Sequence, residues 1–190
     1  MSNLDPFNYI PESEKADIRK RSVYFAHFVA YSALENGGNH WDIFLQTAKN
    51  ESVRIDMTPG AYPGSEGYLG RLDVASDRWG ATCRGHKILT IPMDRRHSVA
   101  SFLDAITQAD NHRYEFTREG RGCGGWIRDQ FYLFVGAGLL PSGWEPTFES
   151  TITVFWENEA PRSPWPVTHG TYLKDRKRTK GKQKRRQQAQ

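Results

Sequence analysis

Between residues 23 and 34 the chain concentrates β-branched and aromatic side chains (Val23, Tyr24, Phe25, Phe28, Val29, Tyr31), a composition that predicts a strand. The polar run Glu35-Asn36-Gly37-Gly38-Asn39 then signals a turn. Residues 40–46 and 52–57 read as two more strands, joined by Thr47-Ala48-Lys49-Asn50 as a hairpin loop. Residues 59–67 hold two Pro and three Gly and predict a loop. Residues 68–74 alternate apolar and polar, the period of a half-buried strand, and 86–91 form another short strand. The period then changes. Ser98 caps a helix reaching about Ala109, with Val99, Phe102, Leu103 and Ile106 on one face. Tyr114-Glu115-Phe116 is short and extended. A second helix runs from Cys123 to about Val135, burying Ile127, Phe131, Phe134 and Val135; Gly136, Gly138 and Pro141 stop it. Residues 150–156 predict a late strand, 161–166 a stiff connector and 170–173 a last short strand. Strands, two helices and closing strands describe an α+β domain, a mainly antiparallel sheet packed against two helices.

Composition adds boundaries. At 190 residues, 37% hydrophobic and 13% aromatic, the chain suits one domain with its own core. Residues 1–21, with Pro6, Pro11 and scattered charge, predict a flexible arm; 22–173 form the domain; 174–190 form a disordered basic tail. No apolar run approaches the ~20 residues that span a bilayer, and the N-terminal segment lacks a signal-peptide core. The expectation is an intracellular protein, cytoplasmic with a nuclear option, that makes no membrane contact. Two cysteines, Cys83 and Cys123, are too few for a disulfide framework or a cysteine-rich zinc site. The six histidines show no metal-ligand spacing. No cofactor and no metal are expected.

The chemistry gathers at two places. Cys123 opens the second helix inside Gly122-Cys123-Gly124-Gly125-Trp126. A thiol at a helix N-terminus feels unpaired N–H groups and the positive end of the helix dipole, both of which favour thiolate. The flanking glycines leave backbone open to a substrate carbonyl, and first-turn N–H groups can hold an oxyanion. His40 opens a strand in His40-Trp41-Asp42-Ile43-Phe44. Hairpin pairing centred near Ala48 and Lys49 sets His40 across from Asp56, where a carboxylate can bond one ring N–H and fix the tautomer. A one-residue slip would turn Asp56 to the other face, and Asp42 and Glu51 compete for the same role. The result is a Cys123–His40–Asp56 arrangement of nucleophile, base and orienter.

These segments resemble known sequences. His40-Trp41-Asp42-Ile43-Phe44 with Val53–Pro59 is similar to the His-Trp-Ala-Ile-Tyr strand and following strand of lecithin:retinol acyltransferase-like proteins. Tyr114 and the Cys123 helix look like that family's later Tyr and Asn-Cys-Glu-His-Phe helix. These proteins belong to the circularly permuted papain-like superfamily, with NlpC-type amidases and PPPDE-type isopeptidases, in which histidine precedes cysteine. Over residues 23–140, Gly-Asn-His-Trp, Asp-Met-Thr-Pro and Tyr-Glu-Phe-Thr…Gly-Cys also resemble a fungal family of small uncharacterised domains. The resemblance implies a thiol acyl-transfer site: His40 as base, Asp56 where the acyltransferases carry a second histidine, Cys123 as nucleophile, and Tyr114 near the oxyanion. It departs from the pattern in its longer hairpin loop, in Gly122 for Asn, and in Gly124-Gly125-Trp126 for Glu-His-Phe.

Two functional readings follow. In the first, the protein is a thiol hydrolase or acyl/peptidyl transferase acting on an amide, isopeptide or ester carbonyl, with Trp41, Gly122, Gly124, Gly125 and Trp126 around the substrate. In the second, the same fold is a non-catalytic ligand- or peptide-binding module. Each residue also has a plainer role: Cys123 as a small buried side chain, Trp126 as core, Tyr114 as strand packing. The tail holds Lys174, Arg176, Lys177, Arg178, Lys180, Lys182, Lys184, Arg185 and Arg186 against Asp175, a net +8, while residues 1–173 carry 17 basic and 21 acidic side chains, a net −4. Such a run suits an import receptor or weak, salt-sensitive contact with nucleic acid. It has no interleaved aromatics for base stacking.

Overall fold

A computed structural model describes residues 12–34, 38–77 and 85–175. Cys83 and the tail beyond residue 175 lie outside them. The elements in chain order are α1 (Glu12–Lys20), β1 (Ser22–Ala33), β2 (Asn39–Ala48), β3 (Glu51–Pro63), β4 (Tyr68–Asp77), β5 (Lys87–Ser98), α2 (Val99–Gln108), β6 (Tyr114–Phe116), α3 (Cys123–Gly136), α4 (Glu145–Ile152), β7 (Val154–Glu157), β8 (Ala160–Pro164) and β9 (Thr171–Tyr172). Seven strands form one sheet in the order β5-β1-β2-β3-β4-β6-β9, and every pairing in it is antiparallel. Strands β7 and β8 make a separate hairpin. The α+β class and the antiparallel sheet against α2 and α3 agree with the sequence pattern.

The helices close one side of the sheet through large rings. Phe131 of α3 stacks on Phe148 of α4 with centroids 3.9 Å apart, and Phe28 of β1 meets both edge-on at 5.6 and 5.2 Å. Phe102 of α2 meets Phe134 of α3 at 5.0 Å. Such edge and offset contacts add to the burial of the rings themselves. Ser98 caps α2 as expected, its side chain accepting from Ser101 N–H. Gly138, at φ 68°, ends α3, and Leu139 N–H reaches back to Phe134 C=O at 2.8 Å.

Five expectations need correction. Residues 12–20 of the supposed flexible arm are the helix α1; Ile18 is fully buried and Arg19 pairs with Asp104 of α2 at 2.6 Å. The late strand at 150–156 is instead the end of α4 followed by β7, because Phe148 and Ile152, one turn apart, both enter the core and override local β propensity. Strand β3 continues to Pro63, through half of the segment read as loop, and 160–164 of the connector is β8. At the other end, Lys174 is no free tail residue: its ammonium donates to Ala109 C=O and Asn111 Oδ1, both at 2.6 Å.

Candidate functional site

Strand β2 brings the imidazole and α3 brings the thiol. The β2–β3 turn is Lys49-Asn50, with an irregularity between Gln46 and Ala48, and the ladder then pairs Leu45 with Val53 and Ile43 with Ile55. That register sets Asp42, not His40, across from Asp56. The sequence-derived register is therefore off by two residues. Because strand side chains repeat every two positions, a shift of two keeps His40 and Asp56 on one face, whereas a shift of one would have separated them. His40 Nε2 donates to Asp56 Oδ1 at 3.0 Å and lies 2.9 Å from Asp42 Oδ1.

Asn39, the residue before His40, fixes the strand's start. Its Nδ2 donates to Tyr31 C=O (2.6 Å) and Trp156 C=O (2.9 Å), and its Oδ1 accepts from Trp156 N–H (2.8 Å). Nothing in the sequence pattern marks this clamp, since it joins residues 117 positions apart.

Helix α3 starts over the same strand. A Cβ added to Gly124 would stand 3.9 Å from the Trp41 ring. Gly122 precedes the helix at φ 145°, a conformation suited to glycine, and a side chain there would press on the Tyr114 hydroxyl. Cys123 is 7% exposed and its side chain interacts with His40, helping to hold the imidazole charged. Both carboxylates stand on Nε2, which leaves Nδ1 as the ring nitrogen open to a thiol. The three residues singled out from sequence, Cys123, His40 and Asp56, therefore meet.

The electrostatics follow from burial and crowding. Desolvation opposes charge on His40, yet the close Asp42 carboxylate, the hydrogen bond to Asp56 and the nearby Cys123 outweigh it and raise the imidazole from 6.5 to about 12. Burial and the facing Asp56 push Asp42 up to about 6, against the pull of His40. Asp56 is also buried, but His40, Asp42 and Arg54 together hold it below the ordinary carboxylate value. Arg54 Nη1 stands 3.6 Å from Asp42 and 3.9 Å from Asp56.

A narrow cleft of about 40 Å³ opens beside Cys123, room for about three waters. Trp41, Gly122, Cys123 and Gly124 line it, with Leu34, Ile152, Val154, Trp165 and Val167 as apolar wall and Arg121 as its cation. Arg121 lies over the Trp165 ring at 5.3 Å. Among the described residues the N–H groups of Cys123 and Gly124 have no hydrogen-bond partner, while Gly125 N–H donates to Thr168 C=O at 3.2 Å. Gly125 is thus held by the segment 165–170 and does not line the cleft. Trp126 is a core residue, fully buried, its indole donating to Asn111 C=O at 2.8 Å. Tyr114 is committed elsewhere: its hydroxyl donates to Gly122 C=O (3.0 Å) and accepts from Gly170 N–H. It braces the start of α3. Segment 165–170 was missed as part of the site, and only its Trp and Pro content hinted at packing.

A family model described as a domain of unknown function, DUF7770, matches residues 26–173. The chain belongs to the DUF7770 family. The matched stretch holds every residue of this site, from Leu34 to Thr168. No curated protein and no solved structure gives a significant match. Among the described residues of this DUF7770 protein, no helix is long and apolar enough to cross a membrane.

Proposed function

We propose that the protein is a thiol-dependent hydrolase or acyl/peptidyl transferase of permuted papain-like type, acting on an amide, isopeptide or ester carbonyl. The observation that carries this reading is His40, which interacts with the Cys123 side chain while anchored on Nε2 by a buried carboxylate. An imidazole held charged is the counter-ion that a thiolate nucleophile uses. The thiolate attacks the carbonyl carbon, and the oxygen takes the negative charge. The N–H groups of Cys123 and Gly124, unpaired among the described residues, are the donors this reading assigns to that oxyanion. His40 gives its proton to the departing amine or alcohol as the tetrahedral species collapses to an acyl-thioester. Water or an acceptor nucleophile then releases the acyl group, with His40 taking the incoming proton.

A non-catalytic binding module is the second reading. The small cleft and the Thr168 contact on the helix's first turn favour it. Iodoacetamide separates the two. A catalytic Cys123 alkylates rapidly at neutral pH, and Cys123→Ser and His40→Ala abolish that labelling. Slow labelling that rises only at alkaline pH and ignores His40→Ala decides for the binding module. The basic tail is proposed, separately, to direct import or retain nucleic acid at low salt.

A further inference from the structure

His40 Nε2 carries one hydrogen and faces two carboxylate oxygens. Asp56 Oδ1 receives it in an aligned bond at 3.0 Å. Asp42 Oδ1 is as close, 2.9 Å, but has no hydrogen-bond partner, although the Asp42 side chain is only 1% exposed. A buried ionised oxygen without a donor is costly, and such groups are rare in folded proteins. Direct opposition of Asp42 and Asp56 would also be repulsive without positive charge between them. The row extends further, for β4 sets Asp73 directly across from Asp56. Asp73 is taken by Arg71 at 2.7 Å. Asp42 and Asp56 are left with His40 and Arg54, and Arg54 stands at 3.6 and 3.9 Å, outside hydrogen-bond range. The charged or titratable groups facing His40 are thus Asp42 from β2, Asp56 and Arg54 from β3, and Cys123 from α3.

We propose that Asp42 is a second positioning residue for His40, exchanging the single Nε2–H with Asp56 so that either carboxylate alone can hold the imidazolium. A small rotation of the ring is enough to move the proton's alignment from one oxygen to the other. The inference builds on the thiol-enzyme reading for its purpose, but its geometry stands without it. A single orienter makes a site that one substitution disables. Two interchangeable orienters make one that tolerates either loss and fails only when both go.

The test uses the full chain with isotope-labelled histidine, in Asp42→Asn, Asp56→Asn and the double variant, with Cys123 alkylation by iodoacetamide measured in parallel. In the wild type the His40 ring stays charged through at least pH 9. Each single variant lowers its NMR midpoint by about one unit or more, and the double variant returns it toward the ordinary ~6.5. Alkylation at pH 7 falls about tenfold or less in each single variant and about 100-fold or more in the double, the size of a lost acid–base group. If Asp42→Asn leaves both the His40 midpoint and the alkylation profile at wild-type values, or if Asp56→Asn alone equals the double variant, the proposal is overturned. Arg54→Gln and Asp42→Ser guard against misfolding. Asp42→Ser must reproduce the His40 shift, and a fall in melting temperature shared with Arg54→Gln but without that shift assigns Asp42 to a structural ion pair and refutes the idea. Slow wild-type alkylation defeats the enzyme reading, and the NMR arm still decides the role of Asp42.

Discussion

Two adjacent glycines should respond oppositely to the same change. Gly124 and Gly125 both lie in the first turn of α3, and neither has a positive φ, so an added methyl is judged on space alone. At Gly124 the nearest atoms, from Trp41 and Val167, stand 3.9 Å away, ordinary contact. Alanine there gains up to about 1 kcal/mol of helix propensity and reduced unfolded-chain freedom. At Gly125 the methyl would meet Thr168 O at 2.5 Å and His169 Cα at 2.8 Å, both backbone atoms that move only if the segment lifts. Lifting breaks the Gly125–Thr168 hydrogen bond and uncovers the cleft wall. Overpacking of this kind costs about 1–3 kcal/mol. For a chain of this size each kcal/mol shifts the midpoint by about 2–4 °C, so Gly124→Ala should melt up to a few degrees higher and Gly125→Ala several degrees lower. Calorimetry on the two variants reads this directly. A Gly125→Ala protein melting at or above the wild type would show that segment 165–170 does not rest on the helix.

Other outcomes follow from single contacts. His27, held by Thr90 (2.9 Å) and Gln46 (3.0 Å), is pushed by burial down to about 4, with the Gln46 bond opposing. Its unfolded form takes up a proton near 6.5 while the folded form does not, so stability should fall as pH drops from 6.5 toward 4. His27→Gln should flatten that slope in urea titrations at pH 4.5 and 7; an unchanged slope refutes the assignment. Asn39→Asp turns an oxygen toward the Tyr31 and Trp156 carbonyls in place of the amide donor. The expected loss is about 3 kcal/mol at pH 7, measured by denaturant unfolding, and a loss under 1 kcal/mol would deny the clamp.

The parts of the fold legible in the sequence are those set by local period. Helix α2 with its Ser98 cap, the α3 span and the Tyr114–Phe116 strand follow from spacing and capping alone. The α4 segment was misread because Thr151, Ile152 and Thr153 favour strand locally, and only the Phe131–Phe148 stack makes helix the better answer. The meeting of His40, Asp56 and Cys123 was legible because face is robust to a two-residue register error, while the position across from Asp56 was not. Tyr114 was placed at the site by the family resemblance and Trp126 by its neighbour Cys123, yet an aromatic with one polar atom satisfies that atom wherever the core offers a carbonyl. Here Gly122 and Asn111 offer one. The role of residues 165–170 was illegible, since a segment without period shows its purpose only through the surface it crosses.

That late wall has a consequence for biosynthesis. On the ribosome, Cys123 and His40 emerge well before Trp165, Val167 and Thr168, so the sulfur can find its imidazole while one side of its cleft is still unmade. Stalled or truncated products ending before Trp165 would carry the assembled pair with an open flank. Under the proposed thiol chemistry, such fragments should be the forms most prone to off-target reaction, because the flank that limits access to Cys123 is missing.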